Sequence, residues 1–385
     1  MLKAPSLKAL VILAVLIKLA LFSYVTLYAP EGRMETDSHD YLETGLTLAQ
    51  HGVFARNLEK NSADKYDYEL FRTPGYPLFL GVLHGILKLP LAGVIFVQIL
   101  LSLLTALFVY KTALLIDSRL GVLSAVIILF DPNLTLHSLL IMTECVFVFL
   151  LSAFLYTFVR YLREENLKWL MWSTVILAAA TYVRPASIYI GIAVGGFMLY
   201  TFLLKKPKQA VTHALIFLIL AYGLLGPWTM RNYARFKQIS FSNIANATIR
   251  AEGLIHSYAR NKDQFTQGWP PLPYYLSATT RSLMSLYMRP ASFKYFNARP
   301  LTAVMKIFDY PFLIFWFVGF CAGILGAGKN VYGRFLLLLV LYFTVISVVG
   351  TLWGTGYRFR VPMMPFIAVL AAWGWMAISE RIKRG

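Results

Sequence analysis

The sequence predicts an all-α polytopic membrane protein with about ten transmembrane helices. Three observations predict it. Of the 385 residues, 58% are hydrophobic and only 14% charged, where a soluble chain carries roughly a quarter charged. The apolar residues come in long runs, of the roughly 20 residues that cross about 30 Å of hydrocarbon. The basic residues gather in short segments between those runs, as cytoplasmic loops require. These features exclude a disordered chain, a disulfide scaffold and an ordinary cytosolic enzyme. A net charge of +18 would suggest nucleic acid in a soluble protein. Here positive-inside loops and attraction to anionic membrane lipid account for it, and no nucleic-acid partner is expected. Cys145 and Cys321 both lie in apolar runs and read as packed thiols.

The spans expected in order are about 8–28, 91–112, 119–138, 141–161, 168–184, 186–204, 209–229, 303–325, 333–352 and 361–379. The first follows Lys3 and Lys8, is too long for a signal-peptide core, and reads as a retained span. The apolar stretch 75–88 follows Pro74 and is short for a span, so it reads as a helix lying at the interface. With that stretch left outside, Lys111/Arg119, Arg160/Arg163/Lys168, Lys205/Lys206/Lys208, Lys329/Arg334 and Arg381/Lys383/Arg384 all face the cytoplasm. The chain is expected to form one integral-membrane domain over 1–385, with both termini inside.

Two outside loops stand out. The first, 29–90, holds nine of the chain's 18 acidic residues before position 75. The second, 231–300, holds ten Lys or Arg against only Glu252 and Asp263. Loops of opposite charge are expected to face each other. Leu42, Leu46, Leu48 and Ala49 give the first loop an apolar stripe at helical spacing.

Asp37 stands about nine residues beyond the first span, in Asp37-Ser38-His39-Asp40-Tyr41, close to the lipid headgroups. The plain alternative is that it caps a helix beginning there. Glu144 lies in an apolar stretch at the outer end of the fourth span, where an unpaired carboxylate is costly; it is expected to be partnered or to face a water-filled cavity. Arg72, Arg184, Arg231, Arg358 and Arg360 each lie near proline or glycine at outer ends of spans. Each alone could snorkel to headgroups. Several at one depth suggest a phosphorylated lipid, because the guanidinium fork matches phosphate. Lys306 and Asp309, three residues apart, could pair or join that group. Lys18, near the middle of the first span, fits no part of this reading. No P-loop, dinucleotide turn, HExxH or Cys/His ligand set occurs.

The ordered series Asp37–Tyr41, Arg72-Thr73-Pro74-Gly75-Tyr76-Pro77, Thr143-Glu144, Arg184-Pro185, Pro227-Trp228-Thr229-Met230-Arg231-Asn232 and Tyr357-Arg358-Phe359-Arg360-Val361-Pro362 resembles the GT-C superfamily of integral-membrane glycosyltransferases. It is most similar to the bacterial and archaeal branch related to protein O-mannosyltransferases and the lipid A aminoarabinose transferase. The resemblance implies a helical bundle in a bacterial inner or archaeal cell membrane, with interface helices in the first outer loop and an extracytoplasmic active site. It implies transfer of a sugar, usually with inversion, from a polyprenyl-phosphate donor to a protein, lipid or glycan acceptor.

Under that resemblance Asp37 and Glu144 are the catalytic carboxylates, with Asp37 as general base and Glu144 orienting it or the acceptor. Arg231, Arg358 and Arg360, then Arg184 and Lys306, are expected to hold the lipid phosphate. Asp40, Tyr41, Arg72 and Tyr76 are expected at the sugar or acceptor. Arg72 stands where some relatives carry a carboxylate ligand, so no cofactor is assigned and a divalent metal is left open. Two other readings remain: a glycan polymerase or ligase using a pyrophosphate-linked donor, and a transporter of lipid or sugar. Transporters place ionisable groups at mid-membrane, whereas here most cluster outside.

Overall fold

In hydrocarbon every backbone polar group must be satisfied within its own segment, and the long apolar runs accordingly fold as helices. The computed structural model describes residues 6–57, 66–244, 272–290, 299–350 and 356–384. Helix α1 (Leu7–Leu27) starts at Ser6, whose Oγ accepts the Ala9 N–H. Then come α2 (Thr36–His51) and a short antiparallel hairpin, β1 (Ala55–Asn57) with β2 (Tyr66–Tyr68). Helix α3 (Gly75–Leu80) continues into a wider π-type turn, Gly81–Ile86. The chain goes on through α4 (Leu91–Ile116), α5 (Gly121–Phe130), α6 (Pro132–Ser138), α7 (Thr143–Glu164), α8 (Leu167–Val183), α9 (Ile190–Phe202) and α10 (Pro207–Phe236). It closes with α11 (Leu272–Met288), α12 (Arg299–Ala327), α13 (Val331–Gly350), a tight 3₁₀ segment Tyr357–Met363, and α14 (Met364–Ile382).

Among the described residues eight helices are long and apolar enough to cross a membrane, or nine when α5 and α6 count as one bent span. The run expected as a straight span over 119–138 is bent by 57°. Pro132 lacks the N–H that would continue α5, and Asp131 caps the next helix through Oδ1 and the Leu134 N–H. The run 168–184 is α8, apolar but only 17 residues long. The stretch 75–88 does not reach spanning length either; Leu78, Val82 and Ile86 expose one apolar face at helical spacing. Much of the second loop, including Glu252 and Asp263, lies outside the described residues.

Helix α7 and the segment 357–382 form the interior of the bundle, and α1 lies at its margin. Phe147, Phe154 and Phe158 of α7 are fully buried, with the Phe158 and Phe335 rings 4.4 Å apart at their centroids. Lys18 finds its place here. It is buried on the inner face of α1, and its Nζ donates to Thr135 Oγ1 of α6 at 3.0 Å. Helix α2 departs from expectation: its most buried residues are Ser38, Tyr41, Thr44, Gly45 and Thr47, with Leu42, Leu46 and Leu48 only half-buried. Close approach of α3 selects small residues there over the leucine stripe.

Candidate active site

Asp37 belongs to the first turn of α2 and is not its cap. The helix start is held by Glu35 and Ser38, with the Glu35 N–H donating to Ser38 Oγ at 2.8 Å. The Asp37 carboxylate is thereby left to other partners, at the helix end whose dipole favours a negative charge. Two glycines bring the neighbouring pieces up to it. A Cβ at Gly45 would lie 2.5 Å from the Pro77 carbonyl oxygen, so α2 and α3 pack nearly backbone to backbone. A Cβ at Gly75 would lie 2.6 Å from the carbonyl carbon of Tyr182, so the start of α3 abuts the end of α8. Thr73 reinforces this contact by donating to the Val183 carbonyl at 3.3 Å. The buried Glu69 accepts the Phe71 and Arg72 N–H groups at 2.6 and 3.1 Å and shapes the turn that presents Arg72. Arg72, Asp37 and Arg184 are therefore brought together by backbone contacts as well as by charge.

The result is an alternating chain of charges. Arg72 Nη2 donates to Asp37 Oδ1 at 2.8 Å and to Asp40 Oδ2 at 3.1 Å. Its Nη1 reaches the Tyr41 hydroxyl at 3.3 Å, and its Cζ lies 4.9 Å from the Tyr41 ring centroid. Arg358 uses both terminal nitrogens on Asp37 Oδ2, at 3.2 and 3.3 Å, and donates its Nε to Glu144 Oε1. Arg184 Nη1 donates to the same Glu144 oxygen at 2.7 Å, while Thr143 Oγ1 meets the other, Oε2, at 3.3 Å. The Glu144 side chain is 0% exposed, against 30% for Asp37 and 26% for Arg358. The cluster thus has a buried floor at Glu144 and an open mouth at Asp37. At the rim, Arg56 of the hairpin lies 3.6 Å from Asp40 and 2.6 Å from Asp67.

Three guanidiniums, Arg72, Arg184 and Arg358, here face three carboxylates, Asp37, Asp40 and Glu144. Partial burial pushes the Asp37 carboxyl up, but Arg72 and Arg358 outweigh it and hold the group below the usual aspartate range. Burial pushes the Tyr41 phenol up, so its hydroxyl stays protonated beside Arg72.

Other expected site residues are placed elsewhere. Arg360 is fully buried and points away from Arg358, donating to the carbonyls of Leu286, Tyr287 and Arg289 at the end of α11. It lies over the Trp316 ring in the field of Asp131 and Asp309, so its expected hold on a lipid phosphate is corrected to a structural one. Arg231 is likewise engaged with protein, through the carbonyls of Glu69 (2.9 Å) and Phe54 (3.1 Å) and the Trp228 ring, and steadies the hairpin and the Arg72 turn. Tyr76, expected at the sugar or acceptor, is fully buried with its hydroxyl donated to Gln98 at 2.8 Å; it supports Tyr41 edge-on instead. Lys306 sits half-buried on α12. Arg56 was not anticipated because the hairpin was not. The signal available was the alternation Tyr66-Asp67-Tyr68, which sets Asp67 opposite Arg56.

The metal left open by the sequence does not fit this donor set. Arg72 lies between Asp37 and Asp40, and Arg358 between Asp37 and Glu144, so guanidinium nitrogens take the carboxylate oxygens that would ligate a cation. Among the described residues no group of three or more His, Cys, Asp or Glu is placed to hold a metal ion.

Comparison with known proteins gives two matches of different kinds. Residues 72–225 match the family described as dolichyl-phosphate-mannose-protein mannosyltransferase. No curated protein matches the chain. Among solved structures, the chain is similar to the apo oligosaccharyltransferase of Archaeoglobus fulgidus, with TM-score 0.60 and 15% identity over 98% of this chain and 51% of that one. It is also similar to the oligosaccharyltransferase AglB of that organism in complex with an inhibitory peptide and a dolichol-phosphate, with TM-score 0.61 and 16% identity over 97% and 50%. A third structure, the oligosaccharyltransferase of the apo structure tethered to an acceptor peptide, aligns at TM-score 0.59 and 15% identity over 97% and 50%. The chain spans about half the length of these structures, and at such identity the likeness is one of fold. From its motif order, helical membrane bundle and these two matches, the chain is a multi-pass membrane protein with the fold of the GT-C superfamily.

Proposed function

We propose that the chain is a glycosyltransferase that moves a sugar from a polyprenyl-phosphate donor to a hydroxyl or amide acceptor at the outer membrane face. The observation that carries this is the meeting of Asp37 with the Arg184–Glu144–Arg358 group at a half-open mouth. A polyprenyl phosphate already leaves readily once its growing charge is met. Arg184 and Arg358, held side by side by one buried carboxylate, supply that charge in a water-poor cleft. Asp37, at the open end, accepts the proton of the attacking acceptor. Glu144 touches no substrate in this scheme; it keeps two like-charged groups together. Arg72 holds Asp37 and Asp40 in place and does the work a cation would do there. Tyr41 lies under Arg72, and Asp40 and Arg56 border the acceptor side. The matched mannosyltransferase family and the relative solved with dolichol-phosphate support a lipid-phosphate donor. The outer-face placement rests on the distribution of basic loops.

Because the structural likeness is to an enzyme named for oligosaccharide transfer, a larger lipid-linked glycan is a second reading. One experiment separates the two. The full chain in proteoliposomes is given undecaprenyl- and dolichyl-phosphate donors carrying labelled mannose, glucose or a short oligosaccharide, together with a membrane extract as acceptor. Transfer of a single sugar, reduced by Asp37→Asn at least about a hundredfold, is expected. Transfer only from the oligosaccharide donor supports the second reading, and no transfer from any lipid-phosphate donor overturns both.

A further inference from the structure

Gln98 lies in α4, outside the charged cluster, yet it binds to the pieces that support each half of it. It is fully buried among apolar side chains, where an amide must find partners. Its Oε1 accepts the Tyr76 hydroxyl at 2.8 Å. Its Nε2 donates to the Leu140 carbonyl at 2.7 Å and reaches the Ser138 carbonyl at 3.4 Å. Its backbone carbonyl faces Cys145 Sγ at 3.1 Å.

These partners belong to two different pieces of the site. Tyr76 packs edge-on against Tyr41, with ring centroids 5.3 Å apart, and Tyr41 lies beneath Arg72, which holds Asp37. Leu140 belongs to the turn feeding α7, which begins at Thr143 and presents Glu144 with its two arginines. Other contacts tie the pieces at their edges: the Ile141 N–H donates to the Arg33 carbonyl at 2.9 Å ahead of α2, Ser38 Oγ meets Met142 Sδ at 3.5 Å, and Arg358 bridges Asp37 and Glu144. Gln98 is the buried side chain that links them from beneath.

We propose that Gln98 is a positioning residue that sets the separation between the Asp37 half and the Glu144 half of the site. This rests on the transferase reading above. Loss of the Gln98 amide leaves each half intact within itself. Arg184 and Arg358 stay on Glu144, so a lipid phosphate is still held; Arg72 stays on Asp37. What changes is the distance from the base to the bond being made, and a displacement of about 1 Å lowers the rate of an oriented reaction by roughly a hundredfold. A residue that merely supported folding would instead lower the folded amount, donor affinity and turnover together.

The test uses Gln98→Met, which keeps volume but removes the amide, and Tyr76→Phe, which removes only one of its bonds. Both are measured as full-length protein in proteoliposomes with the donor that the unaltered protein turns over, and with undecaprenyl phosphate as binding probe. Expected for Gln98→Met are a Kd for undecaprenyl phosphate and a donor KM within about twofold of the unaltered protein, with kcat at least tenfold lower. Tyr76→Phe is expected to show the same split, smaller in size, and to add little to Gln98→Met in the double variant. Should Gln98→Met fail to fold, the split in Tyr76→Phe decides. An unchanged kcat, or KM and kcat worsening together with the folded yield, overturns the proposal while transfer by the unaltered protein keeps the functional reading intact. No transfer by the unaltered protein overturns the functional reading and this proposal with it.

Discussion

Arg358 and Glu144, 214 residues apart in the chain, meet through the Arg358 Nε and Glu144 Oε1, the same oxygen that Arg184 reaches at 2.7 Å. One buried carboxylate thus keeps two guanidiniums side by side. It also leaves the outer fork of Arg358 on a longer contact, 3.2 and 3.3 Å to Asp37. The loose end of this chain of charges faces the opening.

Asp37→Asn is expected to reduce transfer by about a hundredfold to ten-thousandfold, the range for loss of a general base. The same variant is expected to bind undecaprenyl phosphate more tightly, because a carboxylate competing for the Arg358 fork has gone. Turnover in proteoliposomes and binding by isothermal calorimetry check the two halves.

Glu144→Gln leaves two neighbouring guanidiniums without their buried counter-charge. Breaking a buried ion pair from one side destabilises by about 3–5 kcal/mol. Thermal unfolding in detergent should show a clear loss of stability and of undecaprenyl-phosphate binding, whereas Asp37→Asn should show little of either loss.

The Asp37 carboxyl, with Arg72 and Arg358 outweighing its burial, lies below the value of about 3.9 for an unfolded aspartate. Its ion pairs therefore contribute fully above that value and lose their contribution as pH falls through the folded pKa. With the lipid site empty, stability should be insensitive to this group from about pH 5 to pH 8. Arg358→Gln removes one of the depressing charges, so the loss of stability with acid should become smaller and be complete at a higher pH.

Arg72 spans Asp37 and Asp40 as a cation would. Transfer by the unaltered protein is expected to survive a chelator. Arg72→Met should lose most transfer by releasing both carboxylates, and recovery on adding Mg²⁺ or Mn²⁺ would show that the guanidinium stands in for a metal. Activity assays with and without chelator measure both.

Gly75→Val places carbon where the Tyr182 backbone stands, 2.6 Å away at the Cβ. Backbone cannot swing aside as a side chain can, and overpacking of this kind costs about 1–3 kcal/mol. The start of α3 should be displaced from α8, so transfer should fall more than folded yield, as read by turnover per folded molecule.

Composition and run length by themselves determined that this is a helical membrane bundle, because a lipid solvent admits few alternatives once long apolar runs are present. They also carried the identity of Asp37, Glu144, Arg184 and Arg358 as candidates, since charges at the ends of apolar runs are conspicuous. Which arginines converge was not legible. Arg358 and Arg360 differ by two positions in one 3₁₀ segment, yet one faces Glu144 and the other the end of α11. Arg231, like Arg184, lies near a proline but spends its donors on the carbonyls of Glu69 and Phe54. Tyr76 is expected at the sugar or acceptor and is in fact buried against Gln98. The physical reason is that a charge near a membrane surface can be satisfied equally well by a headgroup, a carboxylate or a backbone carbonyl. Only the packing of α2, α3, α7 and α8, decided by contacts between residues far apart in the chain, selects among them.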